Sequence, residues 1–148
     1  HDVSRFLSLC DGDAASYRLA ILFMMCFVGM PTIFYGDELG VQGIREEEYR
    51  APMPWKGGDM ALSGFFRKAI AMRHALSPLR DGTFQMLSAE EGSRVIRFRR
   101  DTGAASVTVA INAGNTAAAI PQSGEKLYWA EGLQNGILSP GGFSVTYR

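Results

Sequence analysis

Cysteine is scarce in this chain: Cys10 and Cys26 are the only two among 148 residues. Their spacing matches no metal-binding pattern, so two inert core thiols are expected in place of a disulfide framework or a metal site. An excess of charge is missing too. Fifteen Lys and Arg balance fifteen Asp and Glu, which leaves no electrostatic footprint for a nucleic acid or an anionic membrane surface. No apolar run is long enough for a bilayer; the longest, Leu19 to Met30, has 12 residues, against the roughly 20 that a spanning helix needs. A buried helix is expected there. The first residue is His1, with no signal-like segment. The chain is expected to begin inside a longer protein, so no localisation is assigned.

What is present suits a packed core. Apolar residues make up 47% and charged residues 20%, a balance that excludes disorder. The length holds one ordinary domain or two small ones. The pattern changes near Pro78. Before it, Asp13 is read as the N-cap of a helix running through Phe27, with Gly29 and Pro31 closing it. Thr32-Ile33-Phe34-Tyr35 is a β-branched and aromatic run that predicts a buried parallel strand. Residues 37–58 form a long loop, and long loops after such strands are usually functional. A second helix is predicted over residues 59–76, with Phe66, Ala69 and Ile70 on its inner side, Arg67, Lys68 and Arg73 outside, and Pro78 as its stop. The order is that of a β/α-alternating piece.

After Pro78 the hydrophobic period is two. Val107, Val109 and Ile111 share one face, Ile96 and Phe98 oppose Arg97 and Arg99, and Phe143, Val145 and Tyr147 align. Glu91-Gly92-Ser93 and Asp101-Thr102-Gly103 have hairpin composition. Residues 79–148 are therefore predicted to form an antiparallel sandwich of about six to eight strands.

Polar residues suited to chemistry cluster in two places. His1-Asp2 opens the chain; Asp2 also reads as a helix cap and His1 as a surface residue. The loop carries Tyr35-Gly36-Asp37-Glu38-Leu39-Gly40 and then Arg50-Ala51-Pro52-Met53-Pro54-Trp55, beyond the C-terminal end of the predicted strand, where parallel α/β folds place their binding groups. Arg50 offers several donors to hydroxyls, and Trp55 offers a face to a sugar ring. Asp37 and Glu38 also read as loop caps that pair with internal basic groups.

These segments resemble the α-amylase family. Gly29-Met30-Pro31-Thr32-Ile33-Phe34-Tyr35-Gly36-Asp37-Glu38-Leu39-Gly40 is similar to the family's last helix-to-strand step, Arg50-x-Pro52-Met53-x-Trp55 to the stretch that follows in oligosaccharide-acting members, and His1-Asp2-x-x-Arg5-Phe6 to the conserved region at the end of barrel strand seven. The neopullulanase, cyclomaltodextrinase and maltogenic amylase branch is the most similar. It departs at Glu46-Glu47-Glu48-Tyr49, where branch members often carry acidic-Pro-acidic. The resemblance implies an α+β composite. Residues 1–78 would be the last β/α portion of a TIM (β/α)8 barrel, and residues 79–148 an all-β C-terminal sandwich domain.

The resemblance also implies chemistry. A retaining glycosidase needs two carboxyl groups about 5–5.5 Å apart, one nucleophile and one acid/base. In the family these come from strands four and five, which this chain is not expected to contain. Asp2 would be a third carboxylate, stabilising the transition state. His1 and Arg50 would bind substrate, an α-glucan oligosaccharide, while Tyr35, Gly36, Asp37 and Glu38 form a structural loop motif. No cofactor is implied for this piece, and calcium is left open for the parent protein. The parent is expected to hydrolyse α-1,4 glucosidic bonds, with action on α-1,6 bonds, and transglycosylation or isomerisation on the same framework, left open. The piece alone is expected to be inactive and, with the edges of its strand unpaired, to self-associate. A competing reading makes the chain a non-catalytic carbohydrate-binding module with Trp55, Tyr128 and Trp129 as platforms.

Overall fold

In the computed structural model, which describes residues 1–122 and 124–148, one helical turn, α1 (Phe6–Leu9), leads into α2 (Ala14–Cys26). Asp13 starts α2 as expected. Its carboxylate accepts from the Ala15 and Ser16 amides at 3.0 and 3.1 Å, satisfying donors that a helix N-terminus leaves unpaired. The Ser16 hydroxyl adds a third bond, and these contacts hold the Asp13 carboxyl below its usual pKa. A short turn, α3 (Glu46–Tyr49), interrupts the long loop, and α4 (Met60–Ala75) follows with Asp59 as its N-cap. Pro78 does not act as a stop. It lies in the first turn of a further helix, α5 (Ser77–Asp81), where its missing N–H costs nothing.

Six strands follow: β1 (Thr83–Ala89), β2 (Val95–Asp101), β3 (Ser106–Asn112), β4 (Ala118–Ala119), β5 (Lys126–Gln134) and β6 (Ile137–Tyr147). All pair antiparallel in a single sheet of order β1-β2-β3-β6-β4, with β5 on the other edge of β6. Bulges between Met86 and Ser88, and twice along β5, curl the sheet. The curl covers both faces of β3, so all seven of its residues are buried. The period-two reading holds there: Val107, Val109 and Ile111 enter the core, while Thr108 meets Arg99 and Glu125 on the other face.

The helices pack directly on the sheet. Phe23 of α2 meets Phe98 of β2 edge-on with ring centroids 5.8 Å apart. Phe65 of α4 contacts Trp129 of β5 and Phe143 of β6 at 4.8 and 6.0 Å. A buried Leu or Phe contributes roughly 1.5–3 kcal/mol, and one cluster contains such residues from both halves, among them Leu22, Met72, Leu79 and Phe98. Neither half keeps a whole core without the other.

Three further expectations need correction. Thr32 to Tyr35 form no strand, because a ladder needs a neighbour and none of the described strands pairs with them. Arg73 does not face solvent. It is 9% exposed, and its guanidinium donates to the carbonyls of Met25, Phe27 and Gly29. Trp129 is 5% exposed, buried under Lys68 and against Phe65 and Phe143, and offers no platform to a sugar.

Arg100 went unremarked in the sequence. It is 1% exposed and donates to the carbonyls of Cys26, Phe27, Leu79, Gly82 and Thr83. Together Arg73 and Arg100 satisfy the carbonyls that the end of α2 leaves open. Burial, and then the like charge of Arg73, lower the Arg100 pKa, but a guanidinium stays charged throughout. Both cysteines are free thiols, and burial pushes the Cys26 thiol up to about 12. Among the described residues no helix is long and apolar enough to cross a membrane.

Candidate functional site

Arg5 organises the N-terminal segment and the long loop. Its side chain is almost fully buried, with the guanidinium 4.0 Å above the centre of the Phe34 ring. Nη1 donates to the Tyr35 carbonyl and to Asp37 Oδ1, both at 2.8 Å, and Nε donates to the Tyr49 carbonyl at 3.0 Å. One cation thereby fixes three points of chain lying 30 to 44 residues further on. Asp37 thus pairs with an internal basic group. Burial still raises its pKa, against the opposing effect of Arg5. Glu38 Oε2 is buried without a hydrogen bond among the described residues.

Two glycines permit this crossing. Gly36 has φ +86°, a left-handed conformation that a side chain would strain, and a Cβ there would press on Val41. At Gly43 a Cβ would run into the backbone of Glu48 and Tyr49. The Gly43 carbonyl accepts from the Arg5 amide at 2.8 Å, and its N–H donates to Ser8 Oγ at 2.8 Å.

The crossing carries Arg50 to the start of the chain. Tyr35 Oη lies 3.1 and 2.9 Å from the carbonyls of Arg50 and Ala51. Arg50 Nε donates to the His1 carbonyl and Nη2 to Asp2 Oδ1, each at 2.9 Å. Nη1 pairs with Glu46 Oε1 at 2.5 Å, and His1 Nε2 lies 3.1 Å from Asp2 Oδ1. Of the residues singled out in the sequence, His1, Asp2, Arg50 and Tyr35 are therefore joined in one network. Asp37 reaches it only through Arg5, and Trp55 is 87% exposed. The Asp2 and Arg50 side chains are 72% and 43% exposed, so the pair adds at most about 1 kcal/mol to stability. Among the described residues no group of three or more His, Cys, Asp or Glu is placed to hold a metal ion.

Glu48 clasps the loop that presents Arg50. It accepts from the Ile44 and Arg45 amides at 3.0 and 3.2 Å and from the Arg45 guanidinium. These bonds, the Ile44 amide first, hold its carboxyl at about 2. A pKa lower in the fold than in the unfolded chain means the clasp is complete above the ordinary glutamate range, near 4.3, and is lost as pH falls towards about 2. A carboxyl carbon shift titrated by NMR is expected to put the Glu48 midpoint well below the ordinary glutamate value.

Residues 1–72 match the family model described as the α-amylase catalytic domain. The chain is 37% identical over 114 residues to neopullulanase 2 of Thermoactinomyces vulgaris, an alignment covering 76% of this chain and 20% of that protein. It is 38% identical over 121 residues to a cyclomaltodextrinase of a Bacillus species, covering 78% and 22%. The chain spans about a fifth of the length of these curated relatives. Among solved structures, the debranching enzyme of Nostoc punctiforme superposes with a TM-score of 0.85 at 26% identity, over 99% of this chain and 34% of that one. A cyclomaltodextrinase superposes at 0.80 and 29% identity, over 99% and 28%. With the matched catalytic-domain segment and relatives that align over three quarters of its length, the chain belongs to the α-amylase family of glycoside hydrolases.

Proposed function

We propose that this chain is the C-terminal part of a retaining α-glucan hydrolase, acting on α-1,4 glucosidic bonds of maltooligosaccharides, cyclodextrins or pullulan, with α-1,6 bonds left open. In this reading residues 1–78 complete the β/α barrel and residues 79–148 form the sandwich domain behind it. The observation that carries the reading is the meeting of His1, Asp2 and Arg50 on one exposed edge, 48 residues apart in sequence. Names of relatives such as neopullulanase and cyclomaltodextrinase support the substrate class.

Asp2 is assigned as the third carboxylate. Its negative charge disfavours ionisation of a neighbouring carboxyl, which keeps the general acid protonated. It also accepts hydrogen bonds from the hydroxyls of a distorted sugar ring. His1 donates to a hydroxyl of the same sugar, a contact that accelerates reaction only to the extent that it tightens as positive charge develops at the anomeric carbon. Arg50 belongs to the same site. The nucleophile and the acid/base are assigned to parts of the catalytic domain outside this chain. Exposed Val3, Leu9, Met30 and Met60 support self-association of the isolated piece, since apolar surface left open promotes contact between copies.

A double displacement returns the starting configuration. Proton NMR of the first products formed from maltotriose by the intact enzyme is expected to show the α-anomer ahead of mutarotation. Early β-anomer would overturn the assignment.

A further inference from the structure

The face of the sheet turned away from the shared core carries polar and small side chains. Register puts Arg97, Ala110 and Ser144 in one row across β2, β3 and β6, and Arg99, Thr108 and Thr146 in the next. Segment 118–121 runs beside this face, held by the pairing of Ala118 with Leu138 and by the Ile120 amide, which donates to the Gly136 carbonyl at 2.8 Å. Ala110 and Ser144 are too small to fill the space left there. Two cavities, of about 450 and 280 Å³, share Arg97 and Pro121 in their walls, and the larger falls within the roughly 300–1,000 Å³ of small-molecule sites.

The two arginines of this face differ. Arg99 is engaged: it donates to Glu125 Oε1 at 2.8 Å, and the buried Glu125 carboxylate also accepts from Thr108 and Thr146 at 3.0 and 2.6 Å. Arg97 lines both cavities, and among the described residues no hydrogen bond or ion pair engages its guanidinium. Ser144 is 3% exposed and lines the smaller cavity, and its hydroxyl is likewise without a partner among the described residues. A buried hydroxyl left unpaired costs free energy, and a ligand that bonds to it removes that cost.

We propose that these cavities form a non-catalytic site for glucosyl units of an α-glucan. The choice of an α-glucan rests on the proposed function, while the site itself rests on the sheet. The walls set one unpaired cation, Arg97, against two carboxylates, Glu90 and Glu125, a balance that disfavours an anion. A neutral sugar offers the guanidinium fork neighbouring hydroxyls to donate to, and a sugar hydroxyl can both donate to and accept from Ser144 Oγ. Ile120, Leu127 and Leu133 in the same wall give aliphatic surface to the C–H side of the ring.

The test is a titration of the 148-residue chain with maltotriose, followed by proton–nitrogen correlation NMR, with acetate as an anionic probe. Shift changes are expected to gather at Arg97, Ala110 and Ser144. Arg97→Ala is expected to weaken the affinity by about tenfold, the effect of one lost charge-assisted hydrogen bond, and Ser144→Ala by about threefold. The spectrum of each variant shows whether it is folded. Shifts confined to His1, Asp2 and Arg50 would overturn the sheet site and leave the proposed function intact. Unchanged affinity in both variants, no shifts at all, or tighter binding of acetate at the same residues would also overturn it. Binding at the sheet together with early β-anomer from the intact enzyme would uphold this site and overturn the retaining mechanism alone.

Discussion

Asp2→Asn in the intact enzyme is expected to lower kcat/KM by roughly 10²–10³-fold, or about 2.7–4 kcal/mol of transition-state stabilisation. Asparagine keeps the size of the side chain and one acceptor oxygen but removes the charge. Two effects then disappear together. The sugar hydroxyls lose a charged acceptor, and charge-assisted hydrogen bonds are about twice as strong as neutral ones. The neighbouring general acid loses a like charge that keeps it protonated, so its pKa falls. The general acid must be protonated to act, so the basic limb of the kcat/KM profile is expected to move to lower pH. Asp2 is 72% exposed on its side chain, so no comparable loss of folding stability accompanies the loss of rate. A variant that melts as the parent does, but turns over at least a hundredfold more slowly, is the expected result.

The largest stability effect is expected at Arg100. Arg100→Met fills a similar volume, so it isolates the lost hydrogen bonds from any cavity. The carbonyls of Cys26, Phe27, Leu79, Gly82 and Thr83 all lose a donor. Each buried acceptor left without a partner costs about 1–3 kcal/mol, although carbonyls with a second partner lose less. A total of about 3 kcal/mol or more is expected, which corresponds to a fall in Tm of roughly 6–12 °C for a chain of this size. The effect should not stay in the sheet. Arg100 stands on β2 but holds the end of α2, so hydrogen exchange in the last turn of that helix should rise as well. A change below about 1 kcal/mol in urea unfolding would show that the guanidinium merely fills space.

The burial of Arg100 and Arg73 is written in the hydrophobic period of their elements. Period two places Arg100 on the same face as Ile96 and Phe98, and Phe98 is fully buried. Arg73 follows Phe66 by seven positions and Ala69 by four, which is the buried stripe of α4. Both positions carried the periodic signal of burial, and the charge of the residue type overrode it. The helix cap Asp13 was legible because capping is local. The strand expected at Thr32 to Tyr35 was a correct reading of composition, but pairing is not local. A β-branched run becomes a strand only beside another strand, and among the described residues none pairs with it.

The site divides in the same way. His1-Asp2 and Arg50 were legible as family motifs, but nothing in the sequence placed Arg50 against Asp2. That contact depends on the crossing of two segments held by Arg5, whose role no local pattern announces. Gly43 was the nearest available signal, since it is the point where the loop passes too close to its own backbone for any side chain.

In the proposed reading this chain supplies one carboxylate to an active site whose nucleophile and acid/base lie outside it. The most direct measurement is reducing-sugar release when the isolated 148-residue chain is incubated with maltotriose or cyclodextrin. No release above a buffer blank is expected, even with the chain folded by circular dichroism. Release that rises with protein concentration would contradict it.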